Sequence, residues 1–200
     1  MKVLFACEYS GRGREAFRRR GHDAWSCDLL ASEDNSPYHI QGPVEAIPMG
    51  TADVWDLLIA HPPCTDLAVS GARHFAAKRA DGRQQAAIDF VRYLMALPIK
   101  KKAIENPVSV ISSAIRKPDQ IIQPWQFGHP ESKATCLRLE NLPLLTPTND
   151  VRAEMAKLPM AQRNRVHHMP PGPERWKERS RTYPGIAEAM ASQWGDEDLW

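Results

Sequence analysis

Cys64 follows two prolines in His61-Pro62-Pro63-Cys64, and Glu105 opens Glu105-Asn106-Pro107. Paired prolines fix the backbone and remove two amide donors, so the next side chain is presented rigidly and away from a hydrogen-bonded core. A thiol held in that way can attack an electron-poor carbon once it is ionised. Pro107 keeps Asn106 extended, so the Glu105 carboxyl can aim into a cleft and give or take a proton there. Two further turns carry acids. Glu8-Tyr9-Ser10-Gly11 follows the first apolar run, and Ser10-Gly11-Arg12-Gly13 supplies a tight turn ahead of a helix start. Asp28 comes about twenty residues later, the spacing at which a carboxylate accepts both hydroxyls of a ribose. Cys7, Cys27 and Cys136 read as small buried hydrophobes.

The elements that must position these residues are short. Residues 2–8, 23–29, 39–41, 56–60 and 102–105 read as strands, and 13–20, 84–97 and 186–194 as helices. Helix 84–97 carries Ala87, Phe90, Val91, Leu94 and Leu97 at helical spacing, and Gly21 stops 13–20 as a left-handed cap. Strands alternating with helices predict an α/β fold, a mostly parallel sheet with helices on both faces. In such sheets ligands sit beyond the carboxyl ends of the strands. The first turn, Asp28, the Pro-Pro-Cys segment and Glu105-Asn106-Pro107 all fall at such ends, and their convergence outweighs any single motif. Beyond residue 146 the pattern is interrupted by prolines at 147, 159, 170, 171, 173 and 184. The chain therefore divides into an α/β core over 1–146, an extended, basic, proline-rich excursion over 147–184, and a terminal segment, 185–200, whose helix returns to the core.

A chain of 200 residues with 42% hydrophobic content suits one domain with a full core. Net charge is only +2, so bulk charge announces no polyanionic partner. Between 151 and 183, however, eight Lys/Arg face three acids, a surplus that suits a phosphate backbone and equally a solvated face. The four cysteines form no CxxC pair, which argues against a disulfide framework or a zinc site. His167-His168, adjacent in a loop, do not converge on one ion, so no metal is expected. Met1 leads directly into Lys2-Val3-Leu4-Phe5-Ala6, too short for a signal peptide, and no apolar run approaches a membrane span. A cytoplasmic protein with reduced thiols and no membrane partner is expected.

Taken together, residues 57–70 and 104–108 resemble the Pro-Pro-Cys and Glu-Asn-Val motifs of the DNA cytosine carbon-5 methyltransferases. Phe5 through Gly11 is similar to that family's first cofactor loop and Asp28 to its ribose-binding acid. Residues 127–135 resemble its Tyr-Gly-x-Pro-Gln-x-Arg-x-Arg motif, and Tyr183-Pro184-Gly185-Ile186-Ala187 its closing motif. The match runs in order over nearly the whole chain and extends to short phage-encoded members of the family. Pro-Pro-Cys with Glu-Asn is specific, and the other matches are loose. The chain also departs from the pattern. Cys7-Glu8-Tyr9-Ser10 replaces Gly-rich sequence, Pro43 replaces an aspartate near the adenine, and Lys133 and Thr135 replace two arginines. Lys lacks the planar fork with which Arg holds a flat group. Gln162-Arg163-Asn164-Arg165 is a second, less well placed match for the arginine motif.

The resemblance implies a Rossmann-like methyltransferase fold and S-adenosylmethionine as cofactor, bound by Glu8, Tyr9, Ser10, Gly11, Asp28, Leu29, His61 and Pro62. It implies that Cys64 adds to carbon 6 of a cytosine, that Glu105 protonates or hydrogen-bonds the ring nitrogen and amine, that Asn106 orients the Glu105 loop, and that Lys133 contacts the ring carbonyl or a phosphate. The partner implied is DNA, with the base flipped or single-stranded. Ser70 and Arg73, in a loop over 65–79 able to close on the site, and Arg163, Arg165, Arg179 and Arg181 of the excursion are its expected contacts. The family's large target-recognition domain has no room here, so 147–184 stands in for it. Two other readings stay open: a pyrimidine carbon-5 enzyme using another one-carbon donor or a free nucleotide, and a non-catalytic nucleic-acid-binding protein on the same scaffold.

Overall fold

A computed structural model describes residues 1–49, 54–172 and 174–196; Pro173 of the proline-rich segment and residues 197–200 of the terminal segment lie outside the described residues. The first half of the chain forms β1 (Lys2–Ala6), α1 (Arg12–Arg19), β2 (Asp23–Asp28), β3 (His39–Gln41), β4 (Leu57–Ala60), α2 (Phe75–Ala80) and α3 (Arg83–Ala96). The second forms β5 (Lys101–Pro107), α4 (Ile111–Ala114), β6 (Gln120–Ile122) and β7 (Thr135–Glu140), then α5 (Arg152–Lys157), α6 (Met160–Arg163), α7 (Arg165–His168), α8 (Arg175–Ser180) and α9 (Pro184–Trp194).

The strands form one seven-stranded sheet in the order β3-β2-β1-β4-β5-β7-β6. All pairings are parallel except those of β7, which runs antiparallel to β5 and to β6. From β1 the chain builds outward to β2 and β3, then returns to β1's other edge for β4 and β5. That reversal makes the carboxyl ends of β1 and β4 the topological switch point, where a crevice opens.

Alternation along the strands separates two cores. Val3 and Phe5 of β1, Leu57 and Ile59 of β4 and Ala103 of β5 pack with Ala16 and Phe17 of α1 and with Ile186, Met190 and Trp194 of α9. Leu4, Ala6, Leu58, Ala60 and Ile104 face the other way, against Ile88, Val91 and Leu94 of α3. Both faces are covered, which explains why the central strands are apolar throughout rather than alternating. Pro184 opens α9 at its first position, where a missing N–H costs nothing. Gly185 comes next because a Cβ there would lie 1.9 Å from the Phe127 carbonyl oxygen.

Two parts differ from the sequence-based expectation. β6 is only three residues long, and β7 carries no strong strand pattern because Arg138 sits in mid-strand. It is nevertheless 1% exposed, its Nε donating to the Arg116 carbonyl at 2.9 Å and Nη2 to Ser112 Oγ at 3.2 Å. The 147–184 excursion is not extended but folds as four short helices, since its prolines fall between helices: Pro159 caps α6, and Pro170 and Pro171 come after α7. Trp194 is fully buried, with Nε1 donating to the Pro143 carbonyl at 3.0 Å. Trp194→Ala is expected to lower the unfolding free energy by about 3–5 kcal/mol in urea titrations.

Candidate active site

Four chain segments meet at the switch point. After β1 the backbone turns sharply, with Cys7 at φ 59° and Gly11 at φ 73°. These two left-handed corners do for this loop what a run of glycines does elsewhere. Between them Glu8 folds inward, buried, accepting a hydrogen bond from Ser10 Oγ; its Oε2 has no hydrogen-bond partner. Burial pushes the Glu8 carboxyl up, against the pull of Ser10, His61 and Arg14. Tyr9 is buried under α8, its hydroxyl donating to the Lys177 carbonyl at 3.0 Å, with its ring 6.0 Å from that of Trp176. Asp28 ends β2 half-buried, Oδ1 accepting the Leu30 N–H at 3.0 Å, and burial raises its pKa. Beside it, the Leu29 side chain is 71% exposed.

After β4, His61 and Cys64 take different roles. His61 Nδ1 lies 2.9 Å from Glu105 Oε2, and the ring stacks on Phe5 with centroids 6.4 Å apart and planes 9° apart. Its Nε2 is buried without a hydrogen-bond partner. Burial alone would favour neutral imidazole. The Glu105 carboxylate, assisted by Glu8, overcomes this and raises the His61 pKa above 6.5, while Lys133 opposes them. In the same way burial would raise Glu105, but His61 and then Lys133 hold it below 4.5. Glu105 is thus kept as the carboxylate of a buried pair. Asn106, one residue on, points to the opposite face and donates from Nδ2 to the Pro62 carbonyl at 3.1 Å, pinning the Pro-Pro segment.

Cys64 is exposed. Desolvation by the surrounding chain raises its thiol pKa, and Glu105 adds to that; Lys133 and Arg179 pull it back down. Arg179 belongs to α8, so the charge of the basic excursion reaches the thiol itself. The Cys64 carbonyl accepts the amides of Leu67 at 3.0 Å and Ala68 at 2.9 Å. Buried Lys78 reaches back to the Thr65 carbonyl and, at 3.2 Å, to Asp66. The near half of 65–79 is therefore fastened to α2, and the rest is helical rather than a loop, a 3-10 turn over Val69–His74 leading into α2. Ser70 and Arg73 lie in its exposed 3-10 turn.

Other sequence-selected cations are held within the protein. Arg165 Nε donates to Glu131 Oε1 at 2.9 Å, and Arg181 binds Glu33 and Glu178. Arg163 contributes its carbonyl to Ser132 N at 2.8 Å. Tyr183 Oη also donates to Glu131, at 2.7 Å, and Lys133 Nζ lies 5.7 Å from the Tyr183 ring. Sequence reasoning missed the His61–Glu105 pair, although both residues had been placed at strand ends. It also missed Lys78, which nothing but spacing from Asp66 could have marked.

No family model matches the chain, and no curated protein matches it. Among solved structures it is similar to an E. coli protein described as a DNA modification methyltransferase encoded within a prophage, at TM-score 0.51 and 16% identity over 80% of this chain and 56% of that one. It is also similar to the Entamoeba histolytica methyltransferase EhMeth, at TM-score 0.50 and 16% identity over 75% of this chain and 57% of that one. The chain thus spans little more than half the length of either, and at such identity the likeness is one of fold.

The electrostatics of the site lead to two expected outcomes. Lys133→Met or Arg179→Met removes a cation that favours the thiolate, and alkylation of Cys64 by iodoacetamide at pH 8 is expected to slow roughly three- to tenfold. The His61–Glu105 pair makes stability depend on pH. Because His61 is raised above 6.5, its contribution is complete below 6.5 and lost as pH climbs through the folded value. Because Glu105 is lowered below 4.5, its contribution is complete above 4.5 and lost as pH drops through the folded value. The unfolding free-energy difference between wild type and Glu105→Gln should therefore peak between those limits, at about 1.5–3 kcal/mol, and shrink on both sides.

Proposed function

We propose that the chain is a DNA cytosine carbon-5 methyltransferase using S-adenosylmethionine, with Cys64 as nucleophile. The observation that carries this reading is an exposed thiol at the carboxyl end of β4, under two cations, beside a buried carboxylate at the carboxyl end of β5. The methyltransferase-like fold supports it.

The residues of the first loop and β2 suit the cofactor. Asp28 offers a carboxylate for ribose hydroxyls and exposed Leu29 an apolar face for a flat base. Glu8 Oε2, buried and without a hydrogen-bond partner, can accept from an ammonium group. When bound, the cofactor supplies an electrophilic methyl on a sulfonium centre.

The remaining steps belong to the chain and the base. Cys64 loses its proton to solvent, and the thiolate adds to carbon 6, breaking the 5,6 double bond. The negative charge that develops on the ring is met at N3 by a proton reaching it through Glu105, whose carboxyl also accepts from the exocyclic amine, and at the ring carbonyl by Lys133, which equally suits a flanking phosphate. Carbon 5 takes the methyl, its proton leaves to a water-borne base, and the double bond re-forms as Cys64 is expelled. Asn106, through the Pro62 carbonyl, keeps the thiol's segment in place. The base must leave its stack, or come from a single strand, to reach this pocket. The folded excursion stands in for a target-recognition domain and brings Arg179 to the site, while Ser70 and Arg73 meet the DNA from the exposed turn after the thiol.

Mass spectrometry of nucleosides from co-expressed DNA tests the reading. Wild type is expected to yield 5-methylcytosine and Cys64→Ala only background. DNA containing 5-fluorocytosine should trap wild type, and not the variant, as a covalent adduct. Absence of both the modified base and the adduct in wild type overturns the proposal, and an adduct without 5-methylcytosine assigns the pyrimidine chemistry to another one-carbon donor.

A further inference from the structure

Addition of a thiolate at carbon 6 leaves the ring needing a proton at N3. In a cytosine carbon-5 methyltransferase built on this site Glu105 is the group nearest that nitrogen, yet it stands in this protein as the ionised half of a pair and carries no proton to give. The nearest proton behind it is on His61 Nδ1, 2.9 Å from Oε2. His61 is largely enclosed, its side chain 11% exposed. Phe5 of β1 stacks on its ring, Glu105 binds it from β5, and Glu8 faces it from the loop after β1. Asp28 at the tip of β2 and Lys133 ahead of β7 act on it at longer range. Two buried polar atoms nearby, His61 Nε2 and Glu8 Oε2, lack hydrogen-bond partners. Ser10 Oγ donates to Oε1 of Glu8, but an ion pair built only to hold the fold would have no use for the second oxygen left unbonded, since a buried polar atom without a partner is costly.

We propose that His61 is the proton store of the reaction, passing its Nδ1 proton through the Glu105 carboxyl to N3 of the pyrimidine. This rests on the methyltransferase function already proposed. The balance closes. As the Cys64 sulfur bonds to carbon 6, the imidazolium becomes neutral imidazole, Glu105 ends as it began, and N3 gains the proton. When Cys64 is expelled and the cytosine ring is restored, the N3 proton returns by the same path, and His61 is charged again. His61 touches no substrate and is a positioning residue acting through Glu105. Proton transfer of this kind is worth roughly 10²–10⁴ in rate.

The test is the pH dependence of kcat at saturating DNA and S-adenosylmethionine, with 5-methylcytosine as the product read. Wild type should lose activity as pH rises and His61 deprotonates. His61→Asn keeps an N–H toward Glu105 but has no proton to give. Its kcat should fall roughly 100-fold while DNA affinity is retained, and the alkaline limb of the wild type should vanish. Glu8→Gln, which leaves His61 and Glu105 in place, should raise the KM for S-adenosylmethionine, because Glu8 also faces the ammonium group, and at saturating donor should move that limb to lower pH. If His61→Asn does not fold, the Glu8→Gln profile decides alone. A His61→Asn enzyme that keeps the wild-type profile, or a Glu8→Gln limb that does not move, overturns the relay and leaves the methyltransferase reading standing. A wild type that makes no 5-methylcytosine overturns that reading itself.

Discussion

Ala6 pairs with Ala60 and Ala60 with Ile104, so the next rung of the sheet brings His61 beside Glu105. In a parallel ladder neighbours on one rung point to the same face, about 4.8 Å apart. The 2.9 Å contact between imidazole and carboxylate is thus an outcome of register before it is one of side-chain choice. The same alternation sends Asn106 to the far face, where it holds Pro62, and puts Phe5 under His61. A one-residue slip of β5 would exchange Glu105 and Asn106 between faces and dissolve both arrangements. Two apolar cores, one on each side of the sheet, make that slip costly.

Charge is divided along the crevice that this register creates. Glu8 and Asp28 act on His61 from the side of β1 and β2 and Glu105 from β5, whereas Arg179 acts on Cys64, and Lys133 acts on Cys64, His61 and Glu105 together. Desolvation opposes ionisation at both ends, raising Glu8, Asp28 and the Cys64 thiol alike. Glu105 escapes this because a partner of opposite sign lies against it. On the proposed reading a cationic donor enters the acidic end and a phosphate-bearing base the basic end, so each ligand supplies the charge that its half of the crevice lacks.

The central strands were legible in the sequence because a strand buried on both faces needs an unbroken apolar run, and β1 and β4 supply one. The terminal helix was legible for the same reason, and Cys64 and Glu105 were placed by the prolines beside them. Where a polar side chain is buried by a partner distant in sequence, pattern reasoning fails. β7 was missed because Arg138 is buried with Nε and Nη2 bonded to Arg116 and Ser112, more than twenty residues away. Cys7 adopts a left-handed conformation that no local rule assigns to cysteine. The proline-rich stretch misled in another way. Proline forbids helix interiors but favours helix starts, so a chain broken by prolines can still be helical between them.

That stretch also decides how the two halves of the crevice communicate. α8 carries Arg179 toward the thiol, yet it is fastened to the opposite half: Tyr9 donates to the Lys177 carbonyl, Arg12 Nη1 to the Thr182 carbonyl at 3.0 Å, and Arg181 pairs with Glu33. Each of these anchors belongs to the first loop, to the start of α1 or to the segment after β2, the segments that also form the acidic end. The cation that favours the thiolate is therefore positioned by the loop that would hold the donor. Cys64 and Glu105 follow or end strands of the sheet, and the charge that on the proposed reading tunes the thiol stands on α8, fastened to the loop after β1.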